Sequence, residues 1–273
     1  MTRFVHAGGT RVCLDDWGAG TPVLLCLHGL GGGTHFFGAL GAALAEQCRC
    51  RTVAIDLPGS GLSPLPLTGA FSFDAAADLV VEILRAEHEH IQQPVHLLGH
   101  SMGTILALEV IRRAPDLVAS LIVVGGLPEP LAGARSRILE RVDKIRRHGI
   151  AGMGTEVVAA NFSNRSQRER PELTALFAKL FERQDPAAYS STAEALAAWT
   201  ARELPPLGEM PCLVITGEED RYAPPDAIEA FARTLPPPPR TRIEIMRDCG
   251  HLPFLEQPAA FAAIVSSFLR KDS

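Results

Sequence analysis

The chain has no apolar run long enough to cross a bilayer, no basic cluster and no cysteine framework. Each absence removes a class of function. A membrane helix needs roughly 18 or more consecutive apolar residues, and every apolar run in these 273 residues is interrupted sooner. The opening residues, Met1-Thr2-Arg3-Phe4-Val5-His6, lack the apolar core of a secretory leader, so the expectation is a soluble, cytoplasmic protein. Lysine is scarce: only Lys144, Lys179 and Lys271 stand among the 26 basic side chains, and 31 acidic residues leave a net charge of −5. A mildly acidic chain with no basic run offers phosphate backbones and anionic membranes no general attraction, so neither is expected as a partner. The six cysteines, at positions 13, 26, 48, 50, 212 and 249, are scattered. A disulfide framework belongs to short secreted chains, and Cys48 and Cys50 are too close together for half of a zinc site. Plain thiols and no metal are the expectation.

What the chain does have is 47% hydrophobic residues in a regular rhythm. Short β-rich runs fall at Arg11–Trp17, Pro22–Leu27, Arg51–Ile55, Val95–Leu98, Leu117–Val124, Cys212–Thr216 and Thr241–Met246. Helical stripes fall between them at Phe73–Ile91, with Asp74 as its expected N-cap, and at Ser101–Arg113, Pro225–Leu235 and Pro258–Leu269. Strand–helix alternation of this kind requires a mostly parallel sheet flanked by helices, an α/β fold. The rhythm breaks once. Residues 127–204 carry only helical patterns, near 136–148, 153–161, 171–184 and 191–202. The expected organisation is therefore a core domain of residues 1–126 and 205–273, interrupted by a helical lid, 127–204, over the carboxyl end of the sheet where open α/β folds bind ligands.

Gly99-His100-Ser101-Met102-Gly103 lies between an apolar strand and a helix. In that setting a serine occupies a sharp turn with its hydroxyl exposed, and the flanking glycines allow backbones to approach where a Cβ would clash. A serine hydroxyl needs a base, and the base needs a carboxylate to orient it. In this arrangement the acid and then the histidine follow the serine along the chain. Only His148 and His251 do so, and His148 stands beside Arg146 and Arg147 in the helical segment. His251 is in a loop between the last strand and the last helix, and is the expected base. Three carboxylates, Glu218, Glu219 and Asp220, follow the strand that ends at Thr216. Asp220 is expected to orient the base, with Glu219 second, and Asp248 is a further alternative close to His251 in sequence. The oxyanion of a tetrahedral intermediate needs backbone donors. Met102 N–H and, from the glycine-rich loop His28-Gly29-Leu30-Gly31-Gly32-Gly33, Leu30 N–H are the expected pair. The same loop completes neither G-x-G-x-x-G nor G-K-[ST], which argues against a phosphate cradle.

Taken together, His28-Gly29-Leu30-Gly31, Asp56-Leu57-Pro58-Gly59-Ser60-Gly61, Gly99–Gly103, Gly217 to Asp220 and Gly250-His251 resemble the α/β-hydrolase superfamily from about residue 11 to the C-terminus. The resemblance implies the α/β-hydrolase fold with an inserted helical cap, a Ser101–Asp220–His251 triad that forms an acyl-enzyme for water to hydrolyse, and a purely structural role for Asp56–Gly61. Serine at 101 differs from the aspartate of haloalkane dehalogenases and epoxide hydrolases. His148-Gly149-Ile150-Ala151-Gly152-Met153 and Asp185-Pro186-Ala187-Ala188-Tyr189 are similar to the enol-lactonase group of the 3-oxoadipate type, although Asn161-Phe162-Ser163 stands where that group has an Arg-Trp pair.

The expectation is a cofactor-free serine carboxylesterase for small, mostly uncharged esters or lactones, monomeric or homodimeric. His28, Gly29, Phe36, His100, Phe162, Trp199 and Leu252 are the expected substrate-binding residues. Enol-lactone hydrolysis, carbon–carbon cleavage or peracid formation on the same triad are alternatives, as is a ligand sensor on a hydrolase fold.

Overall fold

A computed structural model describes residues 1–66 and 69–270, apart from the side chain of His90. Its strands are β1 (Thr2–Ala7), β2 (Thr10–Trp17), β3 (Val23–Leu27), β4 (Arg51–Ile55), β5 (Val95–His100), β6 (Val118–Val124), β7 (Cys212–Gly217) and β8 (Thr241–Met246). They form one sheet in the order β1-β2-β4-β3-β5-β6-β7-β8. β1 and β2 pair antiparallel, as do β2 and β4, and every other pairing is parallel. Strands β3 and β5 are buried along their whole length, as expected for strands covered by helices on both faces.

The helices are α1 (Gly38–Cys48), α2 (Phe73–Ile91), α3 (Met102–Arg113), α4 (Ala132–His148), α5 (Gly154–Asn161), α6 (Asn164–Glu169), α7 (Pro171–Glu182), α8 (Pro186–Ala198), α9 (Pro225–Ala232), α10 (Pro253–Glu256) and α11 (Pro258–Leu269). Among the described residues none is long and apolar enough to cross a membrane. β1, absent from the sequence reading, exists because the tight turn at Gly8 and Gly9, both at positive φ, folds it back on β2. α1 was hidden because its glycines and alanines give no apolar stripe. Gly41 lies so close to the Trp17 ring that a Cβ there would come within 2.7 Å of it. The N-cap of α2 is Ser72, whose side chain accepts from Ala75 N–H, whereas Asp74 lies in the first turn and pairs with Arg113 and Arg202.

Topology fixes the site. From β3 the chain moves through α1 to β4 on one side, and from β5 it moves through α3 to β6 on the other. Adjacent parallel strands whose connections leave in opposite directions open a crevice at their carboxyl ends. Here that crevice falls between the loop after Leu27 and the turn at Ser101. Between β6 and β7 the described chain contains only helices, α4 to α8. They reach across this end of the sheet: Gln184 Nε2 donates to Gly31 C=O at 3.1 Å, and Phe177 stacks on Phe36 with centroids 6.0 Å apart. α8 begins at Pro186, earlier than its sequence pattern suggested, because Asp185 caps it by accepting from Ala188 N–H and a proline suits the first helical position.

Candidate active site

Ser101 follows β5 directly and has φ +52° and ψ −118°, a region that L-residues rarely occupy. Such a backbone costs about 1–3 kcal/mol and persists only where its surroundings enforce it. The enforcement is close packing: a Cβ on Gly103 would lie 2.2 Å from the Leu27 carbonyl oxygen, so α3 runs directly against the end of β3. Ser101 N–H donates to Val124 C=O at 2.9 Å, which ties the turn to β6.

His251 lies between β8 and α10, buried, with Nδ1 at 2.8 Å from Asp220 Oδ2. The carboxylate can only accept, so Nδ1 carries the proton and Nε2 presents its lone pair. Asp220 Oδ1 accepts from the N–H groups of Tyr222 and Ala223, and Oδ2 also accepts from the Thr216 hydroxyl. Glu219 turns instead toward the helical segment, accepting from Asn164 N–H and Nδ2, while Asp248 is 60% exposed beside Arg165. Of the acids weighed in the sequence, Asp220 is the one that reaches His251.

The loop carrying His251 is held from two sides. Its N–H donates to Asn161 C=O at 2.7 Å, and buried Glu256 accepts from Gly250 N–H at 2.8 Å and from Ser163 N–H at 2.9 Å. Sequence reasoning missed Glu256; a glutamate two residues ahead of Pro258 carries no visible signal. Ser101 and His251 line one cavity of about 50 Å³, together with Leu30, Phe36, His100 and Leu252. Room of that size holds a few water molecules. Gly32 N–H donates to Gly29 C=O across a turn with Leu30 and Gly31 at its centre, Gly31 at φ +77°. The Leu30 amide is not used by that closing bond. Met102 opens α3, where amides have no partner inside the helix.

Four expected substrate contacts lie elsewhere. His28 is fully buried behind the loop, its Nδ1–H donating to Gly29 C=O and its Nε2 accepting from Leu57 N–H; burial lowers its pKa to about 4. Gly29 backs on to Ser101 and His100 without facing the cavity. Phe162 sits behind the wall, edge-on to Phe177, which lines the cavity in its place. Trp199 follows the end of α8, packs on Phe73 and donates from Nε1 to Pro128 C=O. His100 donates from Nε2 to the His251 C=O at 3.0 Å, and burial holds its pKa well below the usual histidine range. Among the lining residues that were not anticipated are the polar side chains Arg141, Tyr189 and Tyr222. Among the described residues no three His, Cys, Asp or Glu side chains are placed to hold a metal ion.

Residues 24–264 match the model of the Alpha/beta hydrolase family. The chain is 28% identical to a 2-hydroxymuconate semialdehyde hydrolase of Pseudomonas sp. (strain CF600), over 98% of this chain and 93% of that protein. It is 29% identical to a pimeloyl-[acyl-carrier protein] methyl ester esterase of Aromatoleum aromaticum, over 91% and 98%. Among solved structures, a thermophilic esterase from Thermogutta terrifontis superposes with a TM-score of 0.82 at 25% identity, covering 100% of this chain and 99% of that one. The enol-lactonase from Burkholderia xenovorans LB400 shares the fold with a TM-score of 0.87 at 21% identity, over 98% and 100%.

Proposed function

We propose that this chain, which belongs to the alpha/beta hydrolase family, is a serine-dependent carboxylic ester hydrolase acting on small esters or lactones through an acyl-enzyme. The observation that carries the reading is a serine on a strained turn sharing one cavity with a histidine whose far nitrogen is held by a buried carboxylate. Ser101 Oγ attacks the carbonyl carbon while His251 Nε2 takes its proton. Asp220 keeps the imidazole in the required tautomer and stabilises the imidazolium that forms. The Leu30 and Met102 amides receive the developing oxyanion; each such donor is worth about 10²–10³ in turnover. His251 then returns the proton to the departing alkoxide, and a water activated by His251 attacks the acyl-enzyme and frees the acid. Residues 127–204 act as a cap in this reading, closing the cavity with α4, α5, α7 and α8 and excluding bulk water.

Turnover of p-nitrophenyl acyl esters by Ser101→Ala and His251→Gln tests the proposal. Both variants are expected to lose nearly all activity while remaining folded; a Ser101→Ala protein retaining more than about a tenth of the wild-type rate would sink it. The similarity to a 2-hydroxymuconate semialdehyde hydrolase over nearly the whole chain favours carbon–carbon cleavage as the second reading. Esters, lactones and vinylogous diketones assayed side by side separate the two.

A further inference from the structure

One wall of the cavity carries a buried cation that no carboxylate meets at hydrogen-bond distance among the described residues. Arg141, in the middle of α4, is 5% exposed. Its Nη1 donates to the Tyr189 hydroxyl at 3.3 Å and its Nη2 to the Tyr222 hydroxyl at 3.0 Å. Its Nε is buried without a partner. The nearest acid, Glu156, is 4.0 Å from that nitrogen, too far to accept a hydrogen bond, and is engaged by Lys144 at 2.7 Å. Asp220 is not the counter-charge either, because its two oxygens are taken by His251, Thr216 and the amides of Tyr222 and Ala223. A guanidinium stays charged in a protein, and burying it is costly unless an anion pairs with it. Two neutral hydroxyls accept hydrogen bonds but carry no charge, and Glu156, half-exposed and shared with Lys144, compensates the guanidinium only in part.

We propose that Arg141, with the hydroxyls of Tyr189 and Tyr222, forms an anion-binding subsite of this cavity, so that the ester or lactone opened at Ser101 carries a free carboxylate. The proposal rests on the ester-hydrolase reading above and narrows it, replacing the expectation of a mostly uncharged substrate. All three side chains line the cavity that Ser101 and His251 share. Each tyrosine oxygen that accepts from Arg141 keeps its own O–H free to donate, so the anion meets guanidinium and phenol donors together. A planar guanidinium matches a carboxylate edge to edge. Between the two ends the walls are apolar, with Ile138, Val157, Phe177 and Leu196. The substrate is thus a short apolar chain with an ester at one end and a carboxylate at the other, or a lactone bearing a carboxylate.

The test compares the monomethyl half-esters of succinate, glutarate and adipate with the methyl esters of butanoate, pentanoate and hexanoate. The wild-type protein is expected to favour at least one half-ester over its neutral counterpart by about 10-fold or more in kcat/KM, the worth of a charge-assisted hydrogen bond. In Arg141→Met that preference disappears, mainly through KM, and Arg141→Lys retains part of it. Methionine suits the buried site, since apolar replacement of a buried charge is commonly tolerated. A wild-type protein that prefers the neutral esters throughout, or an Arg141→Met variant that loses both classes by the same factor, overturns the subsite. Calorimetric titration of wild-type, Ser101→Ala and Arg141→Met proteins with glutarate and with inorganic phosphate separates the two levels of the argument. Glutarate is expected to bind the first two proteins and not the third. Glutarate binding without turnover of any ester leaves the subsite standing and removes the ester-hydrolase reading. Absence of glutarate binding, or tighter binding of phosphate, overturns the carboxylate subsite whether or not esters are hydrolysed.

Discussion

At the scale of single residues, the account turns on backbone geometry at one serine and on one pairing. Glycine adopts φ +52°, ψ −118° without the Cβ clash that Ser101 suffers. The strain relieved, about 1–3 kcal/mol, exceeds the extra unfolded-state entropy of a glycine, at most about 1 kcal/mol. Ser101→Gly is therefore expected to raise the thermal midpoint while ending turnover; a lower midpoint would show that the turn is not strained. For the acids, Asp220→Asn should lower kcat by about 10³-fold or more, because the amide holds the imidazole in the wrong tautomer. Glu219→Gln, where the side chain hydrogen-bonds to Asn164 and not to His251, should cost little. A severe Glu219→Gln with a mild Asp220→Asn would reverse the two roles. The turn at Ser101 was legible because an apolar strand, a glycine-flanked serine and a helix follow one another without a break from Val95 to Arg113. Arg141 was not, because α4 also contains Arg135, Arg137, Arg146 and Arg147. Its one signal is its place on the buried stripe of the helix, three residues after Ile138 and four before Ile145.

At the scale of elements, the site depends on a clamp between the helical segment and the C-terminal part of the chain. Glu256 in α10 joins the His251 loop to the turn between α5 and α6, and Arg170 donates to the carbonyls of Leu255 and Glu256. Glu256→Gln leaves one of its two partner amides facing an NH₂ group. Losing a charge-assisted acceptor in a buried place costs about 2 kcal/mol. The expected outcome is a lower urea midpoint together with reduced kcat; unchanged values for both would show that the clamp does not position His251. The short apolar runs of β2 to β8 and the helical patterns of α2 and α3 could be read directly, whereas β1 and α1 could not. β1 gains its conformation from pairing with β2, and α1 from glycine and alanine packing on Trp17, neither of which leaves a periodic trace. Trp199 and Phe162 were assigned to the substrate for their aromatic bulk, but the packing of Phe73 and Phe177 claims them.

At the scale of the whole molecule, buried neutral histidines set the response to acid. Burial lowers the pKa of His28 and of His96 to about 4, from an ordinary 6.5. Between those values the unfolded chain binds protons that the folded protein does not, so stability rises with pH across that window and is lost as pH falls through it. Each group contributes about 3 kcal/mol over the interval, and His100 acts in the same direction. Urea midpoints are expected to fall steadily from pH 6.5 to pH 4; a flat profile would mean that the histidines are already charged or exposed. The cavity walls are largely apolar as well, with Ile138, Val157, Phe177 and Leu196, and in such surroundings a buried cation at Arg141 has the greatest influence on what binds.

The central claim, that Ser101 is the nucleophile of an acyl-transfer site, is tested most directly by acid-quenching the protein within the first turnover of an activated ester and mapping the adduct by mass spectrometry. The account predicts one acyl group per chain, on Ser101, absent from Ser101→Ala. An adduct on another residue, or full turnover with no adduct at Ser101 at any quench time, would contradict it.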